Sequence, residues 1–488
     1  MGYESRAMPE HFDVLIVGAG LSGIGAARQL QMNCPGKSFA ILEGREALGG
    51  TWDLFRYPGI RSDSDMHTMG FSFRPWTGER SIAPGDQILT YLKETAAEYG
   101  IDRHIRYSHR VKEVRWSSVD AQWTVVTRVG TEGERTLYTC SFLFMCTGYY
   151  NYEKGNTPEF PGVDQFRGRI IHPQQWPQDL DYAGKQVVII GSGATAITLV
   201  PSMAQTAAHV TMLQRSPTYI LALPGKDALL GKLRRWLPLR WARNIARWKN
   251  IAMNLWFYDI ARKKPEKISA AIIAGAKKRL GPDVDAGVHF TPNYKPFDQR
   301  VCVAPDGDIF ESLRKGEASI VTDKIERFTE TGILLASGKE LPADLIVTAT
   351  GLKLELLSGL QIFVDDQAVS LAKTYNYRGT MFSGIPNFAL TVGYTNLPWT
   401  LKAELVSKFV CRVINYMDRR KFRSAVPKPG ADIGDQPLMN LQSGYVQREL
   451  ENLPRQGTKT PWALRSYPHD RMNLYYSKVD DGSLEFSR

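Results

Sequence analysis

The sequence predicts an α/β fold of two Rossmann-like dinucleotide-binding domains, with a helical insertion in the second, and three observations carry that expectation. Twice, near residue 18 and again near residue 191, a short apolar strand runs into a glycine turn that opens a helix. Between 226 and 281, basic residues and periodic apolar ones outline helices where a nucleotide domain would need none.

The first unit begins with FDVLIV at 12–17, a β-branched run suited to a buried parallel strand. Gly18, Gly20 and Gly23 follow at GxGxxG spacing, and the helix continues through Ala26, Ala27 and Leu30. Glycines at these places allow a tight turn, close backbone approach to a pyrophosphate, and close packing of helix on strand. A second strand over Phe39 to Leu42 ends in Glu43, 20 residues past Gly23, where a carboxylate accepts hydrogen bonds from ribose hydroxyls.

The second unit places VVII before Gly191, Ser192, Gly193, Ala194, Thr195 and Ala196, the GxGxxA form of the same turn. Its second strand, 209–213, ends in Gln214, Arg215 and Ser216 instead of an acid. A guanidinium and a hydroxyl there suit a 2′-phosphate, which points to NADPH; the plainer reading of Arg215 is a solvated strand end. Two nucleotides held side by side suit hydride transfer from NADPH to a flavin, which makes the first site one for FAD. The segments FLFMCTG at 142–148 and ADLIVTATG at 343–351 read as strands where the chain leaves and re-enters the flavin domain, or as simple packing. The domains expected are 1–153 with 352–488 for FAD, 154–222 with 298–351 for NADP, and 223–297 as the basic helical insertion.

Composition bounds the function. With 488 residues, 43% apolar and 23% charged, the chain resembles an ordinary multidomain globular protein. The five cysteines form no CxxC pair and no zinc-spaced cluster, which argues against a dithiol flavoprotein, predicts no metal site and fits a reducing cytosol. No apolar run reaches the length of a spanning helix, and the N-terminus lacks a signal-peptide core, so a cytoplasmic protein is expected.

Between the two glycine turns lies FRGRIIHPQQWP, with Phe166, Gly168, His172, Trp176 and Pro177 as fixed points. A second string runs from Gly49, Gly50, Thr51 and Trp52 through Tyr57, Pro58 and Gly59 to Asp63. Both match signatures of the Baeyer-Villiger monooxygenases, which the chain resembles over essentially its whole length. Relatives that oxygenate only nitrogen or sulfur have a similar first string without Trp-Pro or Trp-Asp, so Trp176 with Pro177 discriminates; a redox sensor that holds both nucleotides without turnover is the reading outside enzymes. The resemblance implies that NADPH reduces FAD, that O2 adds to the flavin, and that the flavin peroxide converts ketones to esters or lactones and oxygenates sulfides or thioamides. It further implies that Gly50, Thr51, Trp52 and Asp63 lie at the flavin, that Arg300 is the catalytic cation, and that Asp63 orients it. Better-known members have Lys before this Arg, where this chain has Gln299. His172, Trp52 and Trp176 read as structural, and Trp399 as core packing more readily than as a pocket wall.

The net charge of +11 is concentrated in one place: residues 226–281 hold 15 Lys or Arg against three acids, a local +12, and the rest of the chain sums to −1. Trp241, Ile245, Trp248, Ala252 and Leu255 share a helical face, and Arg240, Arg243 and Arg247 are expected to fall away from it. Three readings are open. The apolar face is buried as part of a substrate-pocket subdomain, the simplest case; it meets an anionic membrane peripherally; or the charge binds nucleic acid, which no accompanying module supports.

Overall fold

The computed structural model describes residues 8–130, 132–439 and 442–488. Two parallel-centred sheets organise them. Strand β1 (Glu10–Val17) leads through the first glycine turn into helix α1 (Leu21–Asn33) and then β2 (Phe39–Leu42). β1 pairs in parallel with β2 on one side and with β3 (Glu134–Met145) on the other, inside a nine-stranded sheet. The second sheet has five strands, all parallel. At its centre lies β4 (Gln186–Ile190), which leads into α2 (Ala194–Met203) and β5 (His209–Gln214). QVVII is apolar and buried beyond its first residue, and in HVTMLQ every residue is at least half-buried, as suits inner strands of a parallel sheet.

Between the paired strands 220–223 and 302–305 lie the inserted helices, chiefly α3 (Leu239–Lys263) and α4 (Pro265–Arg279). The favoured expectation for α3, an apolar face turned inward, is not what the fold does. The buried face is small: Ala242, Ala246, Ile251 and Ala261. Trp241, Ile245 and Trp248 are exposed, as are Met253 and Trp256. Arg247, expected to point outward, turns inward and donates to the carbonyls of His67, Thr68 and Gly70, with Glu404 3.6 Å away. Alanines permit closer helix approach than tryptophans, and a guanidinium pays its desolvation by satisfying three carbonyls at once. No helix among the described residues is long and apolar enough to cross a membrane.

From the five-stranded sheet the chain returns along β6 (Leu345–Thr348) to the larger one, where α5 (Trp399–Arg420) packs against α1. The five cysteines, scattered in sequence, are all buried and unbridged, and two of them meet: Cys34 at the end of α1 lies 3.7 Å from the Cys411 carbonyl on α5.

Candidate active site

The two glycine turns are built alike. The Gly18 N–H donates to Leu42 O at 2.8 Å, and the Gly191 N–H to Leu213 O at the same distance. Both glycines have positive φ, +104° and +138°. A Cβ on Gly18 would sit 2.6 Å from Cys146 O, and one on Gly191 2.3 Å from Ala349 O, so only glycine fits either place. Those carbonyls belong to the ends of β3 and β6, the small-residue segments singled out in the sequence, and they brace the turns from below.

Around the turns the walls differ. Gly20 faces Gly50, whose φ is +56°, and a Cβ on Gly50 would come within 3.1 Å of the Gly20 Cα. Gly23 is closed as well, because a Cβ there would lie 1.9 Å from Gly18 O. Glu43 is buried; its two carboxylate oxygens accept from the N–H groups of Ala19 at 2.7 Å and Arg45 at 2.9 Å. Burial nonetheless pushes its carboxyl above the usual range. Thr51 opens the short helix Thr51–Leu54, and Trp52 packs half-buried against the large core.

At the second turn, a Cβ on Gly193 would meet nothing within 4 Å, and Gly193 and Ala194 are exposed. Ser192 Oγ donates to Ser216 O at 3.2 Å, which ties the turn to the end of β5. Gln214 turns inward to His289 O and Thr322, whereas Arg215 and Ser216 stand exposed beside the turn. Thr195 is hydrogen-bonded to the buried hydroxyl of Tyr57, whose pKa burial pushes up to about 12. A Cβ on Gly59 would strike Ser202 Oγ on α2 at 1.9 Å. The string from Gly49 to Asp63 therefore runs from the wall of the first turn to the helix of the second.

At the end of that string, Asp63 meets Arg300: Nη1 lies 3.2 Å from the carboxylate, and Nη2 donates to the Tyr149 hydroxyl at 2.9 Å. Tyr149 stacks on Trp399 at 5.0 Å with rings 5° from parallel, and Trp399 Nε1 donates to Ser22 Oγ in the first turn's helix at 2.7 Å. Arg300, Tyr149, Trp399 and Tyr394 line one cleft. Trp399 is therefore a wall of the cleft, contrary to the core-packing expectation. Behind Tyr394, the Asp470 carboxylate accepts from its hydroxyl and from Lys402 Nζ, each at 2.7 Å, and both members of the ion pair are buried. Tyr149 and Asp470 were not legible as site residues; Tyr394 and Lys402 lie in GYTNLPWTLKAELVSKF, which reads in sequence as a loop feeding a helix that covers the flavin. Among the described residues no cluster could hold a metal.

His172 lies outside this cleft. Its Nδ1 accepts from Gln174 N–H at 3.2 Å and its Nε2 faces Gly351 O at 3.1 Å, which only the neutral ring with the proton on Nε2 satisfies; burial lowers its pKa.

Residues 13–229 match the flavin-binding monooxygenase-like family model. The FAD-containing monooxygenase EthA of Mycobacterium tuberculosis (strain ATCC 25618 / H37Rv) is 53% identical over 484 residues, 99% of each chain. The chain belongs to the flavin-binding monooxygenase-like family. Solved structures give this monooxygenase its fold. An oxidized steroid monooxygenase bound to NADP, 22% identical, superimposes with a TM-score of 0.77 over 98% of this chain and 100% of that one. Cyclohexanone monooxygenase from Rhodococcus sp. Phi1 bound to NADP+, also 22% identical, does so at 0.78 over 98% and 99%.

Proposed function

We propose that this monooxygenase is of the Baeyer-Villiger type, takes FAD and NADPH, and converts ketones to esters or lactones with O2, also oxygenating sulfides and thioamides at sulfur. The observation that carries this reading is Arg300, held by Asp63 and Tyr149 and lining one cleft with Trp399 and Tyr394.

The residues fit both cofactors. Gly18, Gly20, Gly23, Gly50, Thr51 and Trp52 form the closed turn for FAD, and each Glu43 oxygen keeps a lone pair beyond its backbone partner for a ribose hydroxyl. Gly191, Ser192, Gly193, Ala194 and Thr195 form the open turn for NADPH, with Arg215 and Ser216 exposed where a 2′-phosphate would lie. Bound FAD supplies the redox chemistry, accepting hydride from NADPH and activating O2.

What the chain itself contributes is placement and charge. The Arg300 guanidinium stays charged on dehydration and stabilises negative charge building on the ketone oxygen. Asp63, more than half exposed, orients the guanidinium more than it neutralises it. The stacked Tyr149 and Trp399 rings exclude water from one side, and the Lys402–Asp470 pair fixes Tyr394 on another. Neighbouring Cys302 takes no part as a nucleophile, because burial pushes its thiol up to about 12.

Product analysis with linear, cyclic and aromatic ketones and a thioether, with NADPH in air, is expected to yield esters or lactones as well as sulfoxide. Sulfoxide without ester would reassign the protein to enzymes that oxygenate only nitrogen or sulfur. Arg300→Ala is expected to keep FAD reduction by NADPH but lose ester formation by about 100-fold or more; normal ketone oxidation by that variant sinks the proposal.

A further inference from the structure

We propose that the outer face of α3 and the turn before it form a docking surface for an anionic lipid bilayer, on which the protein sits peripherally. Trp241, Ile245, Trp248 and Trp256 follow one another at spacings of four, three and eight residues, which keeps them on one side of the helix in a row roughly 22 Å long at 1.5 Å per residue. Their exposures are 65%, 42%, 46% and 64%, with Met253 beside them at 58%. The preceding turn adds Trp236 and Leu237, and the first residue of the helix is Leu239, all three exposed.

This is a concentration, not ordinary surface scatter. Among the described residues, ten of the seventeen exposed large apolar side chains lie between 223 and 256. Four of the chain's 11 tryptophans are here and all four are exposed, whereas the other seven are buried or half-buried. An apolar row of this size left in water marks an interaction surface.

Charge identifies the partner. Exposed Lys232, Arg234, Arg235 and Arg240 flank one end of the row, and exposed Arg262, Lys263, Lys264 and Lys267 flank the other. Arg471 holds its guanidinium 4.9 Å over the Trp248 ring. Tryptophan and aliphatic side chains in a row with cations at its borders match the headgroup boundary, where rings enter the interface and cations reach anionic phosphates. A second copy of the chain packed face to face on this surface is disfavoured by the same charge, because two +12 segments would meet. Nucleic acid has phosphates for the cations but no use for Ile245, Met253, Leu237 and Leu239.

The test uses the FAD-loaded protein and co-sedimentation with phosphatidylcholine vesicles, with and without roughly one-third phosphatidylglycerol. Binding is expected to be at least about 10-fold tighter to the anionic vesicles at low salt and to weaken as salt rises. Trp241→Ser/Trp248→Ser/Trp256→Ser and Arg234→Glu/Arg235→Glu/Arg240→Glu are each expected to lower it at least about 10-fold, with FAD content and NADPH consumption in solution unchanged. Brominated lipid is expected to quench the tryptophan fluorescence of the unaltered protein. No sedimentation with anionic vesicles at low salt overturns the proposal. So does binding that survives the tryptophan substitutions, a concentration-dependent dimer lost in that variant without lipid binding, or tighter binding to an oligonucleotide than to the vesicles.

Discussion

The two glycine turns share a backbone but not a setting. At the first, Gly20 abuts Gly50, Gly23 abuts Gly18, Glu43 is buried on two backbone N–H groups, and Trp399 reaches Ser22 of the following helix. At the second, Gly193 has empty space above it and Arg215 stands in solvent. The same strand–turn–helix unit is thus enclosed in one copy and open in the other. Enclosure suits a nucleotide that stays bound between turnovers, and openness one that must arrive and leave each cycle. On the function proposed above, the turn would supply anion affinity in both copies and its surroundings would set residence time.

Moving one methyl group between the two turns tests this contrast most severely. Gly50→Ala, at φ +56°, puts a Cβ 3.1 Å from the Gly20 Cα in the wall of the first turn, so we expect weakened FAD retention and a destabilisation of about 1–2 kcal/mol, read from flavin absorbance and thermal unfolding. Gly193→Ala is expected to leave FAD content and Tm unchanged and to act only on NADPH binding; equal damage from both substitutions breaks the comparison. Next in size, Arg215→Ala is expected to raise KM for NADPH by about 10-fold or more while leaving KM for NADH within about twofold, since only the 2′-phosphate contact is removed. Steady-state kinetics with the two nucleotides check it, and an equal rise for both reassigns Arg215 to a solvated strand end.

The smallest effect concerns the connection between the two units. His172 has its folded-state pKa lowered by burial, so it contributes stability above the unfolded value of about 6.5 that is lost as pH falls below it. His172→Gln is expected to flatten the fall in Tm between neutral and mildly acidic pH, most clearly in the five-stranded unit; an unchanged slope means the ring is not the titrating group.

What the sequence disclosed follows from the range of the interactions. The glycine turns, Glu43 and Arg215 were legible because a strand, a turn and a helix within some 25 residues fix their geometry locally. Tyr149 and Asp470, and their meeting with Tyr394 and Lys402, were not, because these residues come together only after the chain has crossed between sheets twice and α5 has packed on α1. The inserted helix shows a different failure. Its amphipathic pattern was visible, but periodicity alone does not say which face is buried, and here Ala242 and Ala246 took the inner side because small residues let the helix approach while Arg247 satisfied carbonyls beneath it. Two cysteines 377 residues apart, Cys34 and Cys411, were likewise beyond any reading of spacing.

The two passages between the sheets run beside each other. Asn151 N–H donates to Lys353 O at 2.9 Å, Asn156 N–H to Gly351 O at 3.0 Å and Glu355 N–H to Tyr149 O at 3.0 Å, and His172 adds a further bond to Gly351 O. A single strand would act as a swivel, free to turn about its own axis. Two strands clasped in this way resemble a leaf hinge, stiffer against twist and stretch than a single strand and most compliant in flexure.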